Sequence, residues 1–436
     1  MGALVLETVL KTGQDAGFST VEAFQEKIWR WESEGGDPPL SSHELQSNRL
    51  LARAFRESGD PLGFSLSNPD ARSIKQCFSN LGSASGPDGK KNYAHLLPRE
   101  HAKIKLDIFD PGIDAWNEAD GVELLEKIRE GLVTFPGLKL KKFHFVRILK
   151  KVYLANSHGF MAKYKKTHFQ VQVAFMLQDH VLELSESHIH FSHFNPERLV
   201  ARAANLLGAL TAESMPDTSR EFFIFSPEAS VQMLKEFSCA LKLDQLAGRS
   251  RVIGACSRVS ILDNPAMDGQ TGSVPFDDEG ITAQENYLIN KGEFVLAAAD
   301  IRTAFARQKK TSGNGFHDER GIFPQIQFSN LYFKPSASSL AHLLRSAAKG
   351  VLVYLVKLKG CGDSANEFVF SAYGYSFENE EIARPVHFNF RSTMRSYFLH
   401  ILDVSRELRF FHHRFNIGSP YLLLQGRRNS EKTITI

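Results

Sequence analysis

Apolar and polar positions repeat with two different periods along this chain, and the switches between them outline its elements. The first turns predict a helix over 6–16 closed by Gly17. Residues 1–18 have no basic leader or small-residue cleavage site, so they read as an ordinary amphipathic helix and not a signal peptide. Residues 23–31 mix aromatic and charged positions and fit a strand or a helix, until the Gly/Pro stretch 35–39 interrupts them. Short strands over 50–55 and 62–66 flank a turn at 57–61, and Asp70 is placed to cap a helix over 71–81. A loop over 82–92 follows, then a strand over 107–111 leaving into a turn, then a helix over 118–135 with its charges on one face.

Period-two alternation then takes over. Strands over 139–152, 160–165, 168–177 and 181–191, with a turn at 156–159, read as an antiparallel meander. Asn195 or Ser192 opens a helix through 210. The polar stretch 211–219, which contains Pro216, is the predicted interdomain linker. Beyond it, strand patterns (221–225, 259–263, 284–289, 293–298, 324–333, 351–357, 368–377, 383–390, 421–424) outnumber helical ones. The helical patterns fall at 227–241 behind Ser226, 299–308, 338–349 closed by Gly350, and 392–408. The fold class is therefore α+β: a mixed N-terminal region over 1–215 with helices packed on an antiparallel sheet, and a β-rich domain over 216–436. A sub-boundary falls near 82–105.

Composition narrows the function classes. With 436 residues, 42% hydrophobic and 23% charged, the chain can build two or three cores and is not a disordered segment. Lys+Arg 52 against Asp+Glu 49 leaves a net charge of +3, which makes no general demand for nucleic acid or an anionic membrane. No apolar run reaches the roughly 18 residues of a membrane-spanning helix. Cys77, Cys239, Cys256 and Cys361 form no CxxC pair and read as small buried hydrophobes in a reducing cytosol, so the expected location is cytoplasmic. Phe (34) far outnumbers Tyr (10) and Trp (3), and a side chain with no polar handle belongs in cores.

Several constellations invite chemistry. No HExxH or HExxxH exists, so no helix carries a zinc-peptidase signature. His188 and His190 would share one face of a strand, with His180 and His193 nearby, and fit either a metal or a polar strand face. His412 and His413 point apart on any strand and read as structural. Asp277, Asp278 and Glu279 offer three carboxylates to a hard cation, or form a turn in which Gly280 takes a conformation barred to other residues. Thr311, Ser312, Gly313 and Asn314 form a loop that fits an anion cradle or an exposed connection; it is not a P-loop. Ser157, Ser273 and Ser419 lie near glycines, but none sits in a GxSxG elbow. The interleaved Lys and Phe of 139–151 fit a nucleic-acid surface or, more ordinarily, a solvated strand face.

The order of these motifs carries a resemblance. Leu262-Asp263-Asn264-Pro265, Gly272-Ser273-Val274-Pro275-Phe276-Asp277-Asp278-Glu279-Gly280, a hairpin with Gly292, Thr311-Ser312-Gly313-Asn314, Phe328-Ser329-Asn330 and Gly418-Ser419-Pro420 follow one another as in the TldD/PmbA (TldE) family, also labelled "modulator of DNA gyrase". Upstream, the turn Asn156-Ser157-His158-Gly159 and the segment 107–111 are similar to that family too. The resemblance implies a β-rich C-terminal domain of the TldD/PmbA type. Because HExxxH is missing and Ser419-Pro420 stands where a ligand Cys would be expected, it implies the TldE/PmbA branch. Such a chain would hold no catalytic residue, metal ligand or cofactor of its own. Zinc would belong to a TldD-like HExxxH partner, and the substrate would be an unfolded peptide, including leader segments of ribosomally made modified peptides. Asp277, Asp278, Glu279, Gly280, Thr311, Ser312, Gly313, Asn314, Asn330, Gly418 and Ser419 would form its substrate or partner loops. The alternative is a homodimeric peptide-binding scaffold without proteolysis. The Phe- and His-rich 410–415, and a strand pair over 50–65 that keeps only Gly59 and Gly63, depart from the family pattern.

Overall fold

Strands in the N-terminal half are long enough to bury residues on both of their faces. In the computed structural model, which describes residues 2–35, 41–57, 59–83, 92–100, 103–212, 222–245, 256–362, 367–428 and 434–436, six antiparallel strands form one sheet. They are β1 (Thr20–Gly35), β2 (Ser41–Phe55), β3 (Leu62–Ser67), β4 (Leu138–Asn156), β5 (Met161–Leu177) and β6 (His180–His188). The order β3-β2-β1-β4-β5-β6 leaves β3 and β6 as edges. The breaks predicted over 35–39 and 82–92 and the linker over 211–219 fall largely outside the described residues, as does part of the sub-boundary near 82–105.

Alternation decides what each face meets. Phe143 and Phe145 on β4, with Phe169, Val171, Val173 and Phe175 on β5, point to a helical layer that includes α4 (Glu118–Leu132) and α5 (Pro196–Leu210). Val21, Ala23, Leu50 and Ala52 point the same way, onto α1 (Gly2–Asp15) and α2 (Ala71–Ser83). The opposite face, with Phe24, Leu51, Val152, Leu154 and Ala162, packs on Phe276 of the C-terminal half. The helices start where side-chain oxygens wait for orphan amides: Asp70 accepts from the Ser73 N–H (2.7 Å), Asn195 from Arg198 (2.8 Å), and Asn117 forms a reciprocal capping box with Asp120.

The C-terminal half holds two larger sheets. An eight-stranded sheet includes Phe222–Phe225, Lys349–Cys361, Glu367–Glu378 and Glu381–Thr393. A six-stranded sheet runs Glu293–Phe294, Asn286–Asn290, Ile261–Asp263, Asn330–Phe333, Asn416–Ser419, Arg409–His412, which makes Arg409–His412 an edge. One apolar core includes residues of both sheets and Val231, Met233, Leu234 and Phe237 of the helix Pro227–Phe237. The fold class is as the patterning indicated: α+β, with a helix-covered antiparallel sheet followed by a β-rich C-terminal region.

Four local expectations are corrected. Residues 107–111 form no strand; Asp110 instead caps the short helix Pro111–Ala115, with Pro at its first position. The helix over 392–408 is only Met394–His400, because Ile401–Val404 pairs antiparallel with Leu422–Gln425. The helix Leu340–Ala347 ends at Ala348 (φ +55°), not Gly350, which lies in a strand where a Cβ would stand 2.4 Å from the Phe222 carbonyl oxygen. The single strand over 324–333 is two, Gln325–Ile326 and Asn330–Phe333.

Phe145 is fully buried between Trp116 (ring centroids 5.1 Å apart) and Phe169 (6.1 Å). Phe145→Ala should therefore cost about 3–5 kcal/mol of unfolding free energy, read from urea denaturation; an unchanged midpoint would show that this layer is not cooperative with the rest.

Candidate functional site

The sheet face turned toward the C-terminal half carries charge, and its register explains how. Glu22 stands opposite Arg53 across β1 and β2, and Glu26 opposite Arg49, on the same face with the Phe24–Leu51 pair between them. Arg53 is 2% exposed. Its Nε donates to Glu22 Oε1 (2.8 Å) and its Nη1 to Glu279 Oε1 (3.0 Å), so one guanidinium joins the two halves of the chain. On the neighbouring strand, the half-buried Lys150 pairs with Glu26, and Lys142 with Glu34 (2.7 Å). The basic run over 139–151 is thus matched in part by acids of β1 and is not a solvated face along its whole length.

Asp277, Asp278 and Glu279 are buried, and backbone amides hold them. Asp277 accepts from the N–H groups of Glu279 (3.0 Å), Ile281 (2.9 Å) and Gly315 (2.9 Å); Asp278 accepts from His317 (2.8 Å); Glu279 Oε2 accepts from Ile301 (2.7 Å). Gly280 has φ +84°, and a Cβ there would stand 2.8 Å from Pro98 and 2.9 Å from Phe160, so only glycine fits. Burial pushes Glu22 up to about 7 despite Arg53, and burial and the Glu279 charge push Asp277 well above the carboxylate range.

The other nominated residues form a second buried network. The Ser312 hydroxyl donates to Asn314 Oδ1 (2.6 Å), Asn314 donates to Asp263 Oδ2 (2.6 Å), and Asp263 Oδ1 accepts from Ser329 N–H (2.9 Å). Asn330 donates to Ser273 Oγ (2.9 Å) and accepts from Asn416 Nδ2 (2.9 Å). Thr311 Oγ1 donates to the Ala299 carbonyl (3.0 Å) and accepts from Gly313 N–H (3.2 Å). Phe410 packs against Gly418, and the Ser419 hydroxyl donates to the Pro420 carbonyl (2.8 Å). The loop over 311–315 is therefore neither an exposed connection nor an open anion cradle: Ser312, Gly313 and Asn314 are buried. Asp277–Gly280 and Thr311–Asn314 come together through Gly315, whereas Gly418 and Ser419 lie on the strand paired with Asn330–Phe333.

A cavity of about 500 Å³ opens at the seam of the two halves. Its walls come from β6, α5, the N-terminus of Pro227–Phe237, the loop 269–271 and the edge strand Arg409–His412. At its centre Arg202 makes a bidentate pair with Glu228 (2.8 and 2.7 Å), donates to Glu186 (3.0 Å) and lies 5.0 Å from the Phe411 ring centroid. Burial pushes Glu186 up, but its contacts with His188 and Arg202 outweigh that and hold the carboxyl below its ordinary value. A second cavity of about 330 Å³ shares Arg202, Glu228 and Phe411 and continues along β6 through Leu182, Glu183, Leu184 and Ser185. Below the loop, Lys166 donates to the Thr271 and Ser273 carbonyls, and burial and the Lys150 charge push its amine down to about 7. Thr271 Oγ1 also meets His412 Nδ1 (3.2 Å).

His188 and His190 do not share a strand face. The strand ends at His188, which faces Glu186, while His190 turns to Asp107 (3.0 Å) and Asp110 (3.7 Å). Among the described residues, no three His, Cys, Asp or Glu side chains come together as a metal-holding group. Sequence reasoning missed Arg53 and Arg202, although a lone arginine inside Leu50-Leu51-Ala52-Arg53-Ala54-Phe55 is itself a signal: a charge in an apolar strand needs a buried partner.

Residues 222–429 match the PmbA/TldA metallopeptidase C-terminal domain. Its C-terminal half thus carries a domain of the TldD/PmbA family. Within that metallopeptidase-like family, a metalloprotease of Methanothermobacter thermautotrophicus is 29% identical over 201 residues, 44% of this chain and 43% of the relative. A metalloprotease PmbA homolog of Buchnera aphidicola is 22% identical over 268 residues, 58% and 57%. The matched stretches thus span less than two thirds of these TldD/PmbA relatives. In fold the similarity runs further: TldE from Thermococcus kodakarensis superposes with a TM-score of 0.82 at 17% identity, covering 97% of this chain and 98% of that one. A Thermotoga maritima protein described as a modulator of a DNA gyrase gives 0.82 at 16%, covering 98% and 99%.

Two outcomes follow from the buried charges. Arg53→Met leaves Glu22 and Glu279 without their cation and should cost about 3–5 kcal/mol; a loss near zero in urea denaturation would mean that both acids are neutral in the folded chain. Burial pushes Asp278 up from 3.8 to about 6, only partly offset by Lys150 and the His317 amide. Between those values the folded state holds the extra proton, so this group's contribution is fully present below about pH 4 and lost as pH rises through about 6. Asp278→Asn keeps an acceptor for His317 N–H, so it should flatten that slope and raise stability near pH 7.5 by on the order of 2 kcal/mol. Identical pH profiles for the two proteins would overturn the assignment.

Proposed function

We propose that this chain is a non-catalytic, TldE/PmbA-like subunit of a heteromeric TldD/TldE-type zinc metallopeptidase that trims unfolded peptides, leader segments of modified peptides among them. The observation that carries the reading is the seam. Its cavity is walled in part by edge strands of two sheets, β6 and Arg409–His412, which come close together there, and its wall holds an arginine paired with two carboxylates. Free edges offer unpaired backbone groups to an extended peptide and tolerate varied side chains, as a substrate-holding role requires. The chain has no HExxxH, and Ser419 stands buried where a ligand Cys would be expected. The zinc of such a complex would sit in a TldD-like partner and supply an activated water and a polarised carbonyl there. In this reading the chain's own residues orient the peptide and close the chamber around it. A cytoplasmic setting suits the four free cysteines, and no helix among the described residues is long and apolar enough to cross a membrane.

The purified chain should carry no stoichiometric zinc and leave an unfolded model peptide intact, while addition of a HExxxH partner restores cleavage. Zinc-dependent cleavage by the chain alone, or a stable homodimer that ignores the partner, overturns the proposal. Binding through strand edges adds a second expectation: N-methylation of alternate backbone amides in the peptide should weaken binding about tenfold or more, the scale of one or two lost hydrogen bonds.

A further inference from the structure

We infer that the seam cavity selects peptides by a carboxylate, taken between Arg198 and Arg409; this rests on the peptide-holding role proposed above. The cavity wall contains three guanidinium groups, Arg198, Arg202 and Arg409, and two carboxylates, Glu186 and Glu228. Glu228 is committed to Arg202 through a bidentate pair, while Glu186 accepts from Arg202 Nη1, faces His188 and feels the charge of Arg198. Among the described residues, no carboxylate lies within ion-pair distance of Arg198 or Arg409. The neighbouring histidines, His188 and His193, add no negative charge. Three guanidinium groups against two carboxylates leave the wall with a net charge of +1, and the two planar forks outside the Arg202 pairs are those of Arg198 and Arg409. An arginine fork matches a carboxylate through two parallel hydrogen bonds, a geometry that an amide cannot reproduce with the same charge.

The walls also say what the rest of the ligand is. Tyr354, Tyr421 and Phe410 present aromatic surface to the same cavity, which suits the apolar stems and rings of a peptide. Glu186, Ser187 and His188 belong to one edge strand and Arg409, Phe410 and Phe411 to another, and the two strands lie close together, so strand edges run beside the arginines. A carboxylate can reach this place from an Asp or Glu side chain or from a peptide C-terminus. Either source uses the same recognition.

Fluorescence anisotropy on the full chain, with labelled unstructured peptides of one length, separates these cases. A peptide with a central Glu and an amidated end, its Gln counterpart, and the Gln peptide with a free C-terminal carboxylate form the set. One or both carboxylate peptides should bind about tenfold tighter than the amidated Gln peptide, the scale of a charge-assisted hydrogen bond. The gain should shrink with added salt and vanish in Arg198→Gln/Arg409→Gln. Both side chains are exposed, so the double variant keeps its fold, as circular dichroism will verify. The peptide that gains identifies the source, side chain or terminus. Equal binding of all three peptides overturns the inference and leaves the peptide-holding role standing. No binding of any peptide overturns both. Binding of a single-stranded oligonucleotide that abolishes peptide binding and depends on the same two arginines overturns the carboxylate assignment in favour of phosphate.

Discussion

One guanidinium fixes how the two halves of this protein meet. Arg53 stands in the middle of an apolar strand, nearly without solvent, and shares itself between Glu22 across the sheet and Glu279 from the C-terminal half. A buried charge in that position is tolerated only if its partners arrive with the right geometry, because losing one partner leaves an uncompensated ion in a poor solvent. The acidic block therefore cannot shift by a residue. Glu279 must meet Arg53, Asp277 must gather three amides, and Gly280 must adopt a left-handed turn under Pro98 and Phe160. An apolar interface would be as stable and would allow sliding; the charged one ties register to energy.

Acids outnumber cations in this layer. Glu22, Glu26, Asp277, Asp278 and Glu279 face Arg49, Arg53 and Lys150, so the excess charge is relieved by protons, and the carboxyls most deeply buried move toward neutral pH. Farther along the same sheet face the imbalance reverses. Lys166, His168 and His412 crowd together without a carboxylate, and their basicities fall because burial and like charge both disfavour the protonated forms. The sheet thus presents an acid-rich zone that locks the halves together and a base-rich zone that supports the loop 271–273 beside the cavity.

Much of this was legible from residue order. Period-two alternation marked β4 and β5, and Asn195, Ser226 and Asp70 marked helix starts, because these signals act within a few residues of themselves. The Asp277–Gly280 turn was legible as a turn, since a glycine after three acids has few other uses. What stayed hidden depended on distant partners. Nothing near 401–404 announces that it will pair with 422–425, so the helical pattern of the segment reads straight through it. The loop over 311–315 looks exposed because it is polar and glycine-rich, yet its polarity is consumed internally by Asp263, Gln327 and Ala299. The seam cavity was not legible at all: its arginines, glutamates and aromatic walls are spread over more than two hundred residues and carry no local motif.

The same physics accounts for where a binding surface can exist on such a molecule. Most residues that the family resemblance points to are buried joints engaged with their own amides and side chains. Binding capacity remains where secondary structure ends without a partner. The order of strands leaves β6 and Arg409–His412 as edges, and the packing of the two halves brings those edges close together in the wall of one cavity. Arg202 ties the walls together, bonding to β6 through Glu186 and to the helix Pro227–Phe237 through Glu228, while its face rests on Phe411. The interlock and the cavity are thus one construction: the buried charge contacts that join the two halves also set the edge strands of their two sheets beside one cavity.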